Sequence, residues 1–389
     1  MVEEGVVGAR GDNAFSRRRV ARALPAGAGE ENCRLRYYFG LGTDNREGFG
    51  MRQAVMTEPG RIVFNDVAEP KAGPGEILLR VKQIGICGSD VHVNHGKHPF
   101  TSYPVIQGHE FSGQVEAIGE GVTEVKVGNK VTARPQIVCG KCGPCCRGDY
   151  NICDVLKVEG FQAPGCAQDL FVTTSDKIVP LPASLTFEQG ALVEPTSVAV
   201  HSTSRGPQLS GRNVVVLGAG PIGNLVAQLA RCRGARKVLI TDLSDFRLEV
   251  AVQCCVENTS NAAEEPLAEA ARRVFGDEGF DVAFEAVGVE ATMDAAVQNI
   301  QKGGTIVVLG VFGEKPRIDM SIVGDREQTI VGTLMYKHED YVKAVELIAG
   351  GDVITEPLVT KHFPFEQYSE AYKFIDEQGD KTLKVMIDL

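Results

Sequence analysis

The sequence has neither a long apolar run nor an excess of basic residues, with 40 Lys and Arg against 51 Asp and Glu. No stretch of about 18 or more apolar residues occurs, and no charged-then-apolar leader precedes a small-residue cleavage site, so the sequence predicts neither a membrane span nor a signal peptide. The formal net charge of -11 disfavours a nucleic-acid partner, because clustered Lys and Arg carry that affinity. These absences favour a cytoplasmic protein without a membrane or nucleic-acid partner.

The chain is long enough for two domains and rich in cysteine. Its 389 residues, 43% of them hydrophobic, allow two cores of ordinary size. In a chain without a secretion signal, the 11 cysteines are expected to serve as metal ligands and reduced thiols rather than as a disulfide framework.

Residues 1–50 differ in composition from the rest. They hold eight Arg and no Lys and show neither helical nor strand periodicity. A mitochondrial transit peptide is also Arg-rich but avoids acidic residues, whereas Glu3 and Asp12 lie at the front. We therefore expect a disordered N-terminal extension, or a stretch translated upstream of a start at Met51. Deletion of residues 2–50 should leave folding and activity intact.

The remainder divides into three segments by its pattern of apolar residues. Residues 51–203 contain short apolar or alternating runs broken by Gly and Pro, which is typical of β-structure. Residues 204–338 alternate apolar strands with helical segments, which predicts a doubly wound parallel sheet with helices on both faces. Residues 339–389 begin with a helical stretch, end in an apolar strand and are expected to return to the first domain. The predicted fold class is α/β.

A dinucleotide-binding pattern opens the second domain. Gly218, Gly220 and Gly223 have the GxGxxG spacing after a predicted strand and at the start of a predicted helix, where a pyrophosphate can approach the backbone and the helix N-terminus. Asp242 ends the next predicted strand, where its carboxylate can accept hydrogen bonds from the adenosine ribose and repel a 2′-phosphate, so NAD is favoured over NADP. Arg247 lies nearby in the sequence, so NADP remains an alternative cofactor. The predicted cofactor-binding residues are Gly218, Gly220, Pro221, Ile222, Gly223, Asp242 and Arg247.

Four cysteines in one Gly-containing loop have metal-ligand spacing. Cys139, Cys142, Cys145 and Cys153 follow C-x2-C-x2-C-x7-C, which lets four thiolates converge on one tetrahedral zinc. A closed four-thiolate set leaves no open position, so this zinc is predicted to be structural. Cys146 is an alternative third ligand, and an iron-sulfur cluster is an alternative occupant.

A second group of metal-ligating residue types precedes that loop. The run from Gly85 to His92 contains Cys87, and His109 and Glu110 follow about twenty residues later. A thiolate, an imidazole and a carboxylate can form a three-ligand zinc site whose fourth position stays open to water or substrate. Such a metal lowers the pKa of a coordinated hydroxyl, which an alcohol needs before it can lose a hydride. The alternative for Glu110 is a structural ion pair.

From Met51 to Leu389 the chain resembles the zinc-containing medium-chain dehydrogenases, in particular the sorbitol, L-iditol and butanediol dehydrogenase branch. The resemblance implies a GroES-like β-barrel catalytic domain, a Rossmann cofactor domain and an active site between them. It also implies NAD, two zinc ions per subunit and a homo-oligomer, either dimer or tetramer. Five motifs carry it in family order: Gly85–Asp90, Gly108–Glu110, the four-cysteine loop, Glu194–Pro195 and Gly218–Gly223.

The resemblance further implies roles for individual residues. Glu194 stands where polyol dehydrogenases have Glu and classical alcohol dehydrogenases have a second Cys, so it either binds the zinc or holds its water; a structural ion pair is its alternative role. Ser89 resembles the hydroxyl that accepts the substrate proton, and His92 the residue that passes the proton to solvent. Asp90 resembles the carboxylate that orients His109. The implied catalytic-zinc ligands are Cys87, His109, Glu110 and Glu194, with Glu110 able to leave as the coordination changes.

The expected function is oxidation of a secondary alcohol, namely a polyol, a cyclitol or a sugar-derived alcohol, with NAD as the hydride acceptor. One alternative is amino-alcohol oxidation of the L-threonine 3-dehydrogenase type, although that group typically has Asp-Pro where this chain has Glu194-Pro195. Another is a non-catalytic protein that binds NAD and zinc. Ser89 and His92 argue against it, because binding alone needs no proton relay.

Overall fold

The computed structural model describes residues 50–389. The predicted N-terminal extension therefore lies, apart from Gly50, outside the described residues. Within the described part, no helix combines the length and apolar character that a membrane crossing requires.

The first half of the described chain consists of short strands and a few helices, as its broken apolar runs predict. The helix Phe187–Ala191 begins with a capping box formed by Thr186 and Gln189. The elements are β1 (Met51–Glu58), β2 (Arg61–Val67), β3 (Glu76–Ile86), α1 (Gly88–Asn94), β4 (Val105–Ile106), β5 (Glu110–Ile118), β6 (Lys130–Ala133), β7 (Gln136–Ile137), α2 (Gly143–Cys146), β8 (Lys157–Val158), β9 (Leu170–Thr174), β10 (Ile178–Pro180), α3 (Phe187–Ala191) and α4 (Val193–Arg205).

The second half alternates strands with helices. The elements are β11 (Asn213–Leu217), α5 (Pro221–Cys232), β12 (Lys237–Asp242), α6 (Asp245–Gln253), β13 (Asn258–Asn261), α7 (Leu267–Phe275), β14 (Val282–Glu285), α8 (Glu290–Asn299), β15 (Thr305–Val308), α9 (Met320–Asp325), β16 (Thr329–Gly332), α10 (His338–Ala349), β17 (Val359–Pro364), α11 (Tyr368–Gln378) and β18 (Lys384–Asp388).

Strands β11 to β16 form one parallel six-stranded sheet in the order β13-β12-β11-β14-β15-β16. All five residues of β11 are buried, as expected of a strand covered by helices on both faces. The strand order reverses between β11 and β14, and such a switch point leaves a crevice at the carboxyl ends of the strands. The predicted doubly wound sheet is confirmed.

The catalytic half is built around β3, the longest strand. β3 pairs antiparallel with β5, β9 and β18, and the sheet runs β10-β6-β5-β3-β18-β17. A three-stranded sheet, β2-β1-β4, and the β7-β8 pair complete this half. Because β18 lies beside β3, the end of the chain returns to the first half.

Two details differ from the expectation drawn from the sequence. The sequence predicts β-structure up to residue 203, but residues 187–203 belong to α3 and α4, because the capping box starts a helix there. The predicted bound at residues 203 and 204 falls inside α4, whose apolar face packs in one core with β11, α5 and α10. The remaining domain bounds stay predictions.

Candidate active site

Sheet register brings Cys87 close to His109 and Glu110. β3 ends at Ile86, and Cys87 is the N-cap residue of α1. Gly85 of β3 pairs with Glu110, the first residue of β5, so the two antiparallel strands place these chain segments side by side. The ligand atoms of Cys87, His109 and Glu110 all lie within 4.8 Å of one another. The structure thus brings together three of the four residues expected to bind the catalytic zinc.

A buried network holds the imidazole of His109. Oδ1 of Asp90 lies 3.5 Å from Nδ1 of His109, and Oδ2 of Asp90 accepts a hydrogen bond of 2.9 Å from the backbone N of Cys87. Gln107 donates to Asp90, and the Tyr372 hydroxyl donates to Gln107 at 2.9 Å. At 3.5 Å the Asp90 contact is too long for a well-formed hydrogen bond, so Nδ1 of His109 is a buried nitrogen without a hydrogen-bond partner among the described residues.

Lys384 neutralises Glu110. The Nζ atom of Lys384 donates to both carboxylate oxygens of Glu110, at 2.8 and 2.5 Å, and to the carbonyl of Ile86 at 3.2 Å. The side chains are 3% and 1% exposed. Burial lowers the pKa of Lys384, but Glu110 and Cys87 outweigh it and raise that pKa overall. The sequence prediction missed Lys384, although a lysine that opens an apolar C-terminal strand was a signal that its charge is paired.

Gly85 provides the space for this ion pair. A Cβ atom at Gly85 would lie 2.4 Å from Oε2 of Glu110 and 3.4 Å from the side chain of Lys384. A larger residue would therefore displace the Glu110 carboxylate. This explains why glycine stands two residues before Cys87.

Glu194 lies in the first turn of α4 and is 5% exposed. Its Oε1 accepts a hydrogen bond from the hydroxyl of Tyr336, which is fully buried. Burial raises the pKa of Glu194 to about 7, against the lowering effect of His109. Glu194 does not belong to the three-residue group described above. Tyr336 was not predicted from the sequence, because no local motif links it to Glu194.

Ser89 and His92 lie on α1, directly after Cys87. They are three residues apart and so share one side of the helix; Ser89 is half-buried and His92 is exposed.

The aromatic side chain of Phe161 packs against the same site. The ring of Phe161 lies 4.9 Å from that of His109 and stacks on His98 at 4.7 Å, a contact that the sequence did not indicate.

The four-cysteine loop gathers its thiols at the surface. The sulfur atoms of Cys139, Cys142, Cys145 and Cys153 lie within 4.8 Å of one another. Backbone N-H groups of Lys141 and Cys142 lower the pKa of Cys139 to about 6, which favours the metal-binding thiolate. The Cys146 thiol is exposed and points to the carbonyl of Lys141 instead. Four converging thiols suit zinc.

The glycine-rich turn leaves open space where a pyrophosphate would approach. Gly218 has φ +101, a conformation that favours glycine. A Cβ at Gly223 would lie 1.9 Å from the carbonyl oxygen of Gly218, whereas one at Gly220 would meet no atom within 4 Å. Pro221 begins α5 directly after Gly220, its N-cap, and Ile222 packs against the core behind the turn. This arrangement fits a dinucleotide at the helix N-terminus.

Asp242 faces the same turn. Its Oδ2 accepts a hydrogen bond of 2.7 Å from the backbone N of Ala219, and its Oδ1 one of 3.0 Å from Ser244. Arg247 lies 4.0 Å from Oδ2 and donates to the carbonyl of Asp380. The structure thus brings the predicted carboxylate to the Gly-rich turn, with Arg247 at its edge.

Together the two halves define a class of protein: a two-domain dehydrogenase with a dinucleotide site, a mixed-ligand zinc site and a four-thiolate zinc site. Residues 73–183 match the family model for the alcohol dehydrogenase GroES-like domain, and residues 221–350 that for zinc-binding dehydrogenase.

Curated relatives cover nearly the whole described chain. Sorbitol dehydrogenase of Bacillus subtilis (strain 168) is 31% identical over 342 residues, 87% of this chain and 97% of that protein. The 2-dehydro-3-deoxy-L-galactonate 5-dehydrogenase of Pseudoalteromonas atlantica is 37% identical over 334 residues, 85% and 97% of the two chains. The solved 2R,3R-butanediol dehydrogenase of Bacillus subtilis superposes with a TM-score of 0.79 at 28% identity, covering 87% and 100%.

The chain belongs to the zinc-containing medium-chain alcohol and polyol dehydrogenase family. It is an oxidoreductase with a GroES-like domain and a Rossmann domain, and its cofactors are NAD and zinc. The family, fold class and cofactors predicted from the sequence are confirmed.

Proposed function

We propose that this chain oxidises one secondary hydroxyl of a polyol or of a sugar-derived alcohol, with NAD as the hydride acceptor. The observation that carries the proposal is the group of the half-buried Cys87 with the buried His109 and Glu110, together with the half-buried Ser89 that follows Cys87 in α1. The relatives named above act, by their names, on sorbitol, on a deoxy-galactonate and on butanediol. All three compounds carry a secondary hydroxyl group.

In this proposal Cys87 and His109 would hold the catalytic zinc, and Glu110 and Glu194 are the carboxylates that would complete its ligands. The donor set fits, since thiolate, imidazole and carboxylate are zinc ligands and one ligand atom from each of the three side chains lies within 4.8 Å of the others. Bound there, zinc supplies a Lewis acid that makes an alcohol hydroxyl more acidic. Lys384 balances the charge of Glu110 whenever that carboxylate is turned away from the metal.

The proton path uses α1. Ser89 Oγ accepts the proton of the substrate hydroxyl while it gives up its own, and the exposed imidazole of His92 passes one proton on to solvent. Asp90 keeps the His109 ring in place during this transfer. On the cofactor side, Gly218, Gly220 and Gly223 make room for the pyrophosphate and Asp242 holds the adenosine ribose.

The second zinc is assigned to Cys139, Cys142, Cys145 and Cys153, giving two zinc ions per subunit.

The cytoplasmic location also belongs to the proposal, because the ten cysteines of the described residues are all free thiols, which suits a reducing compartment. Self-association to a dimer or tetramer is proposed as well, and light scattering of the purified protein measures it.

A substrate panel tests the function. The purified zinc-loaded protein is mixed with NAD and with sorbitol, L-iditol, a cyclitol, L-galactonate, 2,3-butanediol or L-threonine, and NADH absorbance is followed. We expect turnover with at least one polyol or sugar acid. Turnover with L-threonine alone would replace the proposal with amino-alcohol oxidation, and none with any alcohol would overturn it.

Ser89→Ala separates the proton path from metal binding. We expect kcat/KM to fall by roughly 10²- to 10⁴-fold, the usual scale for a lost proton-transfer group, while zinc content and NAD binding persist. Ser184→Ala is the matched control, since Ser184 is exposed and belongs to neither the active site nor the cofactor site of this proposal. Near-normal turnover of Ser89→Ala would remove that hydroxyl from the mechanism.

A further inference from the structure

The turn between the third and fourth cysteines holds the segment that connects β16 to α10. We call residues 139–153 the cysteine lobe and residues 334–340 the connecting segment. Asn151 Nδ2 donates to the carbonyl of Leu334 at 2.9 Å, and the Tyr150 hydroxyl accepts from the backbone N of His338 at 2.5 Å. Lys337 Nζ donates to Asp149 at 3.0 Å. The lobe therefore fixes the connecting segment at both of its ends.

The connecting segment in turn contacts α4. The Tyr336 hydroxyl donates to Glu194, and His201 Nδ1 lies 2.8 Å from Oδ2 of Asp340. Glu194 and His201 are two helical turns apart, so one face of α4 meets the segment twice. Asn151 also lies 3.4 Å from Nε2 of His201. The lobe, the connecting segment and α4 thus form one continuous polar network.

The strand that leads into the lobe adds another link. Gln136 of β7 donates through Nε2 to the carbonyl of Tyr336 at 2.7 Å. The Tyr336 ring packs edge-on against Tyr341 with centroids 5.0 Å apart. Tyr336 is fully buried, so backbone bonds on both sides and its ring contact fix the position of its hydroxyl.

From this network we infer that the cysteine lobe positions Glu194 in the active site, and that Tyr336 is the positioning residue that transmits its effect. Among the described residues, the Tyr336 hydroxyl is the donor of the hydrogen bond to Glu194. A hydrogen-bond donor offsets the desolvation of a buried carboxylate and thereby orients it. A metal in the lobe would hold Asp149, Tyr150 and Asn151 in place and so act on the distant zinc. The inference rests on the proposed function in that Glu194 faces the catalytic metal.

The test measures metal binding at the Cys87 site, with the lobe still loaded with zinc. The labile catalytic zinc is removed by a mild chelator, because the closed four-thiolate site exchanges more slowly. Zinc affinity is then measured by chelator competition, and Co²⁺ is added to record its visible absorption. The variants are Tyr336→Phe, Tyr150→Phe, Asn151→Ala and the double variant of the two tyrosines; Val155→Ala, an exposed change next to the lobe, is the control.

We expect Tyr336→Phe to weaken zinc binding at the Cys87 site by about tenfold, the low end of the cost of losing a partner that orients a ligand, and to shift the cobalt spectrum. Tyr150→Phe and Asn151→Ala should change the zinc affinity and the cobalt spectrum in the same direction as Tyr336→Phe, but by a smaller amount. Because the two tyrosines act along one path, the double variant should be no worse than Tyr336→Phe alone. Val155→Ala should match the unmodified protein.

Unchanged zinc affinity and cobalt spectrum in Tyr150→Phe, or strictly additive losses in the double variant, would overturn the inference. If Asn151→Ala does not fold, Tyr150→Phe decides, since it removes a single oxygen atom. These measurements need no substrate. A protein that fails the alcohol panel but shows the coupling refutes the proposed function alone, and an active dehydrogenase without the coupling refutes the inference alone.

Discussion

The two groups of metal-ligating side chains differ in how the chain assembles them. The cysteine lobe collects four identical side chains from one surface loop, and backbone N-H groups of that loop lower the pKa of one of them, Cys139. The other group takes Cys87 from the end of β3, and His109 and Glu110 from the start of β5. A metal site can therefore be encoded by spacing within a loop or by the register of two strands.

The two groups also differ in what surrounds the ligands. Each buried side chain proposed as a ligand in the active site has a partner from another segment of the chain: Lys384 for Glu110, Asp90 for His109 and Tyr336 for Glu194. A buried charge is costly unless it is paired, so these partners are part of the site. We expect ligand changes in the lobe to affect mainly stability, and ligand changes in the active site to affect mainly chemistry.

The largest effect should come from Cys87→Ala. Without its thiolate the active site should lose its zinc, and turnover should fall on the order of 10⁴-fold, because the metal contributes several kcal/mol to the reaction. Metal analysis should find one zinc per subunit, retained by the lobe. Cys232→Ala, which removes an exposed thiol elsewhere, is the control and should keep both ions. Full metal content with full activity in Cys87→Ala would overturn the catalytic-zinc assignment.

Lys384→Met should be the next largest change. It leaves the Glu110 carboxylate buried without its cation, which costs about 3–5 kcal/mol when one member of a buried pair is removed. Zinc offers Glu110 another partner, so denaturant titrations should show a larger loss of unfolding free energy in metal-free than in zinc-loaded protein. Lys361→Met on the neighbouring strand, where the lysine is exposed, should have little effect. Equal losses with and without zinc would mean that Glu110 never meets the metal.

The sequence predicted those parts of the molecule that depend on local spacing. The GxGxxG turn, the four cysteines and the apolar runs of the parallel sheet are all readable from neighbouring residues, and the structure has them where they were expected. Cys87 and His109 were found because each lies in a short motif, and the family resemblance joined them. Lys384, Tyr336 and Phe161 were missed because packing between distant segments of the chain brings them to the site, and no local pattern records that packing.

The cysteine lobe offers a matched pair of variants. Cys145 belongs to the sulfur cluster, whereas the adjacent Cys146 is exposed and lies outside it. Cys145→Ser should release the lobe zinc and lower the melting temperature by several degrees, since structural zinc contributes directly to folding. Cys146→Ser should change neither. Zinc release by Cys146→Ser, with the lobe zinc retained in Cys145→Ser, would exchange the two assignments.

Asp242→Ser should give the smallest effect, and it extends the comparison to the cofactor site. That site mixes the two modes of assembly, because its glycines form one local turn while Asp242 reaches it from the neighbouring strand through the backbone N of Ala219. Removing the carboxylate removes its repulsion of a 2′-phosphate and should shift the NAD-to-NADP ratio of kcat/KM by about tenfold toward NADP. Arg247, already 4.0 Å from that carboxylate, is then free to face the phosphate.

Asp245→Ser is the control, since Asp245 is exposed and accepts a hydrogen bond from Asn261. Its NAD-to-NADP ratio of kcat/KM should stay unchanged. If the unmodified protein used NADP more efficiently than NAD, Arg247 rather than Asp242 would dominate the site, and the substitution at Asp242 would leave the preference where it was.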